Sequence, residues 1–379
     1  MATIRAFSVA AAIGVAVLLP AIWTPPLEAD DPVGTSVTFN REIIRIIQRK
    51  CESCHTPGGL AMSLSDFRDA RTWGRAIREE LVEHRMPPAI LARGYGEYET
   101  DPSLNAREMA TFLTWLDGGM PRGDEADRPV QLTAANIPTD PESPAALRVA
   151  LPAQAVPARE NLVVRRVVVD AGAAAGRTLA RVQLHPGNRR VVRGALVFAA
   201  PAGKFSSAAT PGSLIGAWLP WQHAVVPPAA HAYELPARAS LVVDMYYRGV
   251  DAMQTDQSAL ELIPAPERAT QRVDEVTITS SEQTSSRFHG RVQLPSSARV
   301  WAIQCGLDAS VASVELRVER PDRSIEVLLW VPVVHPEWPL ALVLREPVNL
   351  PAGSVVSFVA ERNATRSGAP PRVTLSVLR

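Results

Sequence analysis

The residues best suited to chemistry are Cys51-Glu52-Ser53-Cys54-His55. At this C-x-x-C-H spacing two thiols can add to the two vinyl groups of one haem, and the adjoining imidazole can meet the iron. A redox dithiol or half of a zinc site uses part of the same pattern. A zinc site would want a second Cys/His pair, and the third cysteine, Cys305, stands alone far downstream. The spacing therefore predicts a c-type centre, with one haem c held by Cys51 and Cys54 and its iron bound by His55.

An iron that carries electrons with little reorganisation needs a second axial ligand. A thioether there raises the potential relative to a second imidazole. Met62, Met86, Met109 and Met120 lie in range. Met109 falls in the apolar stripe of a helix, Met62 follows closely on the attachment motif, and Met120 follows a helix end. Met86 precedes Pro87-Pro88, which stiffens the loop presenting its sulfur, and it is the expected distal ligand. His84 is the nearest rival, although its place at a helix end also fits an exposed residue.

Three helices would position this centre. Phe39 to Ile47 puts Ile43, Ile46 and Ile47 on one face, with Asn40 as N-cap and the helix running into Cys51. A second fits Ser65 to Glu83, with Phe67, Ala70, Trp73, Ile77 and Leu81 along a buried stripe. A third fits Ala106 to Asp117, opened by an Asn105/Glu108 capping box and closed at Gly118-Gly119, with Met109, Phe112, Leu113 and Leu116 on its apolar face.

The 379 residues are too many for one small haem domain and suggest two or three. Acidic and basic residues balance at 39 each, which gives no support to nucleic-acid binding or a polybasic membrane surface. With two cysteines committed to haem, none pair as a structural disulfide, and Cys305 reads as a small buried residue or a free thiol. Arg5, the apolar run Ala6 to Leu19 and a cleavage point after Ala29 outline a targeting segment over residues 1–29. Leu27 is large for a cleavage signal, and the apolar run over residues 6–23 is near the lower limit for spanning a bilayer. Both a cleaved signal peptide and a retained inner-membrane anchor fit. Either implies a periplasmic or exported protein, consistent with haem attachment outside the bacterial cytoplasm.

The run from Val37 through Asp124 resembles the single-haem cytochrome module fused to larger periplasmic proteins of soil bacteria. The likeness rests on Val37-Thr38-Phe39-Asn40, the C-x-x-C-H motif, Asp69-Ala70-Arg71-Thr72-Trp73, Arg85-Met86-Pro87-Pro88 and Leu116-Asp117-Gly118-Gly119. In that module the methionine of the Met-Pro-Pro segment is the distal ligand, which by resemblance is Met86.

The expected architecture is multidomain, α followed by all-β. A cytochrome c domain over residues 30–125 leads through a Pro/Ala-rich linker, 126–160, to two jelly-roll-like antiparallel β-sandwiches, 161–268 and 269–379. The β reading rests on runs such as Val163-Val164, Val167-Val168-Val169, Ala195-Leu196-Val197-Phe198, Leu241-Val242-Val243, Val276-Thr277-Ile278 and Val300-Trp301-Ala302-Ile303. Val314 to Val318 and Ile325 to Trp330 should form a hairpin about Arg320-Pro321-Asp322-Arg323.

This β-rich region resembles the two-domain core of the copper type II, ascorbate-dependent monooxygenases of the peptidylglycine-hydroxylating type. The segments that carry the likeness are Pro186 to Val192, Gly216-Ala217-Trp218-Leu219-Pro220, Tyr233 to Ala237, Leu241 to Met245, Leu329-Trp330-Val331-Pro332 with Trp338, and Glu346 to Gly353. The resemblance implies two copper sites, yet the ligand positions have changed. Arg193 and Gly194 stand where a His-His pair holds the first copper, and Tyr246 where its third histidine lies, with Arg248 two residues on. Gly306 and Asp308 stand where a His-x-His pair holds the second, and no methionine follows Met253. Arginine stays protonated and glycine has no donor, so copper is not expected. His185, His223, His231, His289 and His335 match none of the ligand positions. Arg193, Tyr246, Arg248 and Asp308 either persist by descent or form a new polar site.

The expectation is an exported electron carrier with one haem, whose degenerate monooxygenase-like β-region docks a redox partner. One alternative is a copper monooxygenase fed with electrons through the haem. Another is a structural subunit of a cell-envelope redox complex.

Overall fold

The computed structural model describes residues 34–88, 90–99, 101–129, 146–203, 212–222, 224–266, 271–284 and 286–379. The targeting segment and its cleavage point, the centre of the linker, His223 and the boundary at 268/269 lie outside the described residues. Among the described residues no helix is long and apolar enough to cross a membrane.

The described chain is mostly β, with its α-helices confined to residues 44–117: α1 (Ile44–Lys50), α2 (Phe67–Thr72), α3 (Gly74–Val82) and α4 (Ala106–Asp117). A π-turn, Phe39–Ile43, feeds α1, and its cap is Thr38 rather than Asn40. Asn40 is fully buried instead, its amide donating to the carbonyls of Gly123 (3.4 Å) and Asp124 (3.0 Å). Phe39 and Asn40 also donate their backbone N–H groups to Pro121 and Arg122. The Val-Thr-Phe-Asn opening thus ties the two ends of the helical region together. Phe39, Ile43, Ile47, Phe112 and Trp115 form its core.

The helix expected from Ser65 to Glu83 breaks at Trp73, separating α2 from α3. Trp73, expected inside, is exposed, while Ala70, Ile77 and Leu81 are buried. Gly74 begins α3 with the Met120 sulfur lying where a Cβ would project, so the close approach of this thioether needs a glycine there. α4 has the expected bounds and capping box, with Asn105 accepting from Glu108 N (2.9 Å) and donating to Glu108 Oε2 (3.0 Å).

The strands form four sheets. The largest has eight strands in the order Leu147–Ala150, Ala259–Pro264, Thr178–His185, His231–Glu234, Gln271–Thr279, Arg372–Leu378, Ala298–Gly306, Leu340–Leu350. His231–Glu234 and Gln271–Thr279 pair in parallel, so one sheet runs through both β regions. A four-stranded sheet (Val163–Asp170, Ala239–Tyr247, Val192–Pro201, Ser213–Trp218) shares a core with its first half, where Leu196, Val243 and Ile215 meet Val182, Leu184 and Leu260. A five-stranded sheet shares a core with its second half, where Phe288, Leu316 and Phe358 meet Ile278, Ile303 and Leu375. Cys305 is buried in this second core.

Val311–Glu319 and Ile325–Val331 pair as the expected hairpin, with Arg323 N donating to Arg320 O across the turn. The later part of the linker is not extended coil. Leu147–Ala150 is an edge strand on Ala259–Leu262, and Gln154–Val156 pairs with Gln254–Asp256. Leu147 and Val149 supply the reason, since both pack on the first β core.

The segment after Met86 fixes the helical region to the second β region. Ile90, Leu91 and Tyr98 join the second β core. Ala92 N donates to Trp330 O (2.8 Å), Glu99 N to Val343 O (2.9 Å), and Arg345 N to Glu97 O (2.9 Å).

Candidate functional site

The attachment motif sits on a turn made by the end of α1. Cys51 N donates to Ile47 O (2.8 Å), and Cys54 N and His55 N fold back to Cys51 O at 3.1 and 2.9 Å. The turn brings both thiols and the imidazole to one cavity of about 280 Å³. The two cysteines form no disulfide with each other; burial pushes the Cys51 thiol pKa up to about 12 and raises that of Cys54 as well.

The orientation of His55 is set by its backbone surroundings. Its Nδ1 lies 2.9 Å from the Met62 carbonyl, an acceptor only, so Nδ1 carries the proton and Nε2 keeps its lone pair. Burial lowers the pKa of the ring, which favours this neutral, ligating form.

Met86 lines the same cavity. Its backbone N–H is held by the Glu80 carbonyl at 3.2 Å, and the Arg85 side chain clasps the Glu80 carboxylate at 3.0 Å. The four residues singled out for haem therefore converge, although Met86 lies on the far side of α2 and α3 in the chain. Of the rival ligands only Met62 also lines the cavity. Its carbonyl holds the back of the His55 ring, so it shares the wall of His55. Met109 and Met120 pack in the helical core instead. His84 follows the end of α3 with a left-handed backbone (φ 54°) and does not line the cavity.

Leu60, Leu64, Ile77, Leu81 and Phe112 give the helical wall an apolar patch, beside which Lys50, Glu80 and Arg85 also line the cavity. The apolar patch, paired thiols and ligating imidazole fit the donor set of a covalent haem.

The opposite wall comes from the β regions: Arg193, Trp221, Arg248, His335, Glu337 and Trp338. Sequence reasoning missed this wall, because nothing local links these residues to the attachment motif. Its signals were Arg193 and Arg248, weighed as part of a possible new polar site, with no indication that they would face the C-x-x-C-H motif. Arg193 is the extra residue of a bulge, since Val192 pairs with Tyr247 and Gly194 with Tyr246. Its guanidinium lies 5.8 Å from the Trp338 ring centre, and Trp338 meets Trp221 edge-on at 5.0 Å.

The other positions that the resemblance compares with copper ligands have separate surroundings. Gly194 is overlaid by Pro339, and Tyr246 lines a small recess beside Cys305 and His335. Gly306 pairs with Arg372 at a strand end. Asp308 accepts from Ser310 N (2.8 Å), Ser310 Oγ (2.5 Å) and Ala369 N (3.0 Å), which makes it a loop clasp. Of the four residues weighed as a new polar site, Arg193 and Arg248 line the cavity, and Tyr246 and Asp308 do not. Of the described histidines, His185 pairs with Glu261 (2.9 Å), His231 is buried in its strand, His289 lies in Arg287–Gln293, and His335 reaches the cavity wall.

No protein-family model and no curated protein matches this chain. Among solved structures it is similar to the major capsid protein P2 of bacteriophage PM2, at 9% identity and TM-score 0.24, covering 61% of this chain and 97% of that one. It is also similar to a protein designated as secreted from Eubacterium rectale, at 11% identity and TM-score 0.17, covering 57% and 68% of the two chains. A protein so designated from Parabacteroides distasonis gives 10%, 0.18, 63% and 90%. Likeness at this level carries no functional argument.

Proposed function

We propose that this chain is an exported single-haem c-type cytochrome. In this reading the helices of residues 30–125 form a cytochrome c domain, and two jelly-roll-like sandwiches form a monooxygenase-like region without copper. The observation that carries it is the convergence of Cys51, Cys54, His55 and Met86 on one cavity with an apolar patch from the helices. Each thiol S–H adds across one vinyl C=C, with sulfur bonding the carbon next to the ring and hydrogen going to the terminal carbon, so no oxidant is consumed. His55, its proton held on Nδ1 by the Met62 carbonyl, offers Nε2 to the iron. Met86 offers its sulfur from a loop whose backbone is held at Glu80. Haem so bound supplies one-electron transfer. The redox partner is a protein met in the periplasm, with the β region as the docking module.

The test is to express the full chain with its leader in a cytochrome c-maturing host and analyse the denatured, purified protein. One covalent haem, one iron and no tightly held copper are expected per chain. Absence of covalent haem would overturn the proposal, and two coppers per chain would restore the monooxygenase alternative.

A further inference from the structure

The two walls of the cavity differ in chemistry. The helical wall is mainly apolar, and its charged members Lys50, Glu80 and Arg85 are partnered within the helical region, whereas the β wall presents two guanidiniums, Arg193 and Arg248, beside a single carboxylate, Glu337. Other cations of the lining have protein partners. Arg85 pairs with Glu79 and Glu80, and Lys50 Nζ donates to the Asp101 carbonyl at 3.5 Å. Arg193 is only 8% exposed, yet its Nε has no hydrogen-bond partner. The Glu337 carboxylate lies near enough to act on its charge but makes no ion pair with it, and the charge of Arg248 opposes it.

A guanidinium cannot shed its proton to escape burial, and a buried cation without an acceptor is costly. Here the unpartnered group comes from a bulge, a device that redirects one side chain out of the ladder. It belongs to the lining of the cavity that holds the attachment cysteines. The cavity is therefore complementary to an amphipathic molecule with an apolar face for the helices and carboxylates for the arginines. Haem has that character, with a flat apolar macrocycle and two propionates, and guanidinium is well shaped to bind carboxylate with paired N–H groups.

We propose that Arg193 and Arg248 bind the propionates of the haem attached at Cys51 and Cys54, so that the β region completes the haem site. This inference rests on the haem reading above. It also gives a role to Arg193, which the resemblance compares with a copper ligand, and it makes the β region a direct influence on the reduction potential. Positive charge beside the propionates disfavours the more positive, oxidised iron and so raises the potential.

The test compares the haem-loaded full chain with its Arg193→Gln, Arg193→Lys and Arg248→Gln variants. Covalent haem is counted from the reduced pyridine adduct, and midpoint potentials come from redox titration. Haem content should stay at one per chain. The midpoint should fall in Arg193→Gln and in Arg248→Gln, fall furthest in the double variant, and stay near the parent value in Arg193→Lys. Parent-like midpoints in fully loaded glutamine variants would overturn the inference and leave the haem reading standing. Absence of covalent haem in the parent would overturn both. Should Arg193→Gln fail to fold, the exposed Arg248 carries the test, and an unchanged midpoint in Arg248→Gln overturns the proposal.

Discussion

The Tyr98 hydroxyl donates to the Leu328 carbonyl at 2.6 Å, joining the loop after Met86 to a strand of the five-stranded sheet. Both groups are buried, and Tyr98 sits in the second β core. Tyr98→Phe keeps the ring and removes this hydroxyl donor. It should lower the stability of the full chain by about 1–3 kcal/mol in urea unfolding. A loss within error would show that the hydroxyl can be dispensed with and that the ring alone anchors the loop.

Met86→Ala should leave covalent haem in place and convert a low-spin spectrum to a high-spin or exchangeable one. Met62→Ala should leave the low-spin spectrum intact, because the Met62 backbone carbonyl, which orients His55, survives the substitution. Electronic absorption of the two reduced variants separates them. A low-spin Met86→Ala protein beside a high-spin Met62→Ala protein would reverse the assignment.

Gly194 bears on whether a histidine pair at positions 193 and 194 could hold copper. A Cβ at Gly194 would stand 2.6 Å from Pro339 Cδ and 3.1 Å from Leu219 Cδ2. Gly194→Ala should therefore destabilise the chain by about 1–3 kcal/mol through overpacking. The pair Arg193→His with Gly194→His should not create a copper site, since the second imidazole has no room. Calorimetric titration with Cu(II) checks this, and a tight one-to-one isotherm from the double variant would refute it.

Much of the local structure was legible in the sequence. The α4 capping box needs only Asn105 and Glu108 three residues apart, and the Val311–Glu319 hairpin only a turn between two β-branched runs. The grouping of Cys51, Cys54 and His55 was legible for the same reason, because they lie within one turn, and Met86, which lines the same cavity, carries its own proline marker. The β wall had no such signal. Arg193, Trp221 and Trp338 are brought together by sheet packing, and the parallel joint between His231–Glu234 and Gln271–Thr279 fuses regions that composition separates. Trp73 was misplaced because helical periodicity assigns a face without knowing that Trp73 itself is the break, capping the end of α2 and the start of α3.

Glu275 gives a pH signature independent of the haem. It lies in the strand Gln271–Thr279, accepts from the Leu214 backbone N–H at 2.7 Å, and has its pKa raised by burial, with Arg372 opposing the shift. A carboxyl whose folded pKa is raised holds its proton more tightly when folded than when unfolded. Its contribution to stability is present below the ordinary carboxylate pKa and is lost as pH rises through the folded value. Glu275→Gln keeps an acceptor for Leu214 N–H and has no proton to lose. Urea unfolding from acid to neutral pH should therefore show the parent losing stability relative to Glu275→Gln as pH rises above the ordinary carboxylate range. The opposite slope, with the parent gaining on the variant, would mean that the hydrogen bonds from Leu214 N–H and Ser213, with the charge of Arg372, outweigh burial and hold Glu275 as a carboxylate.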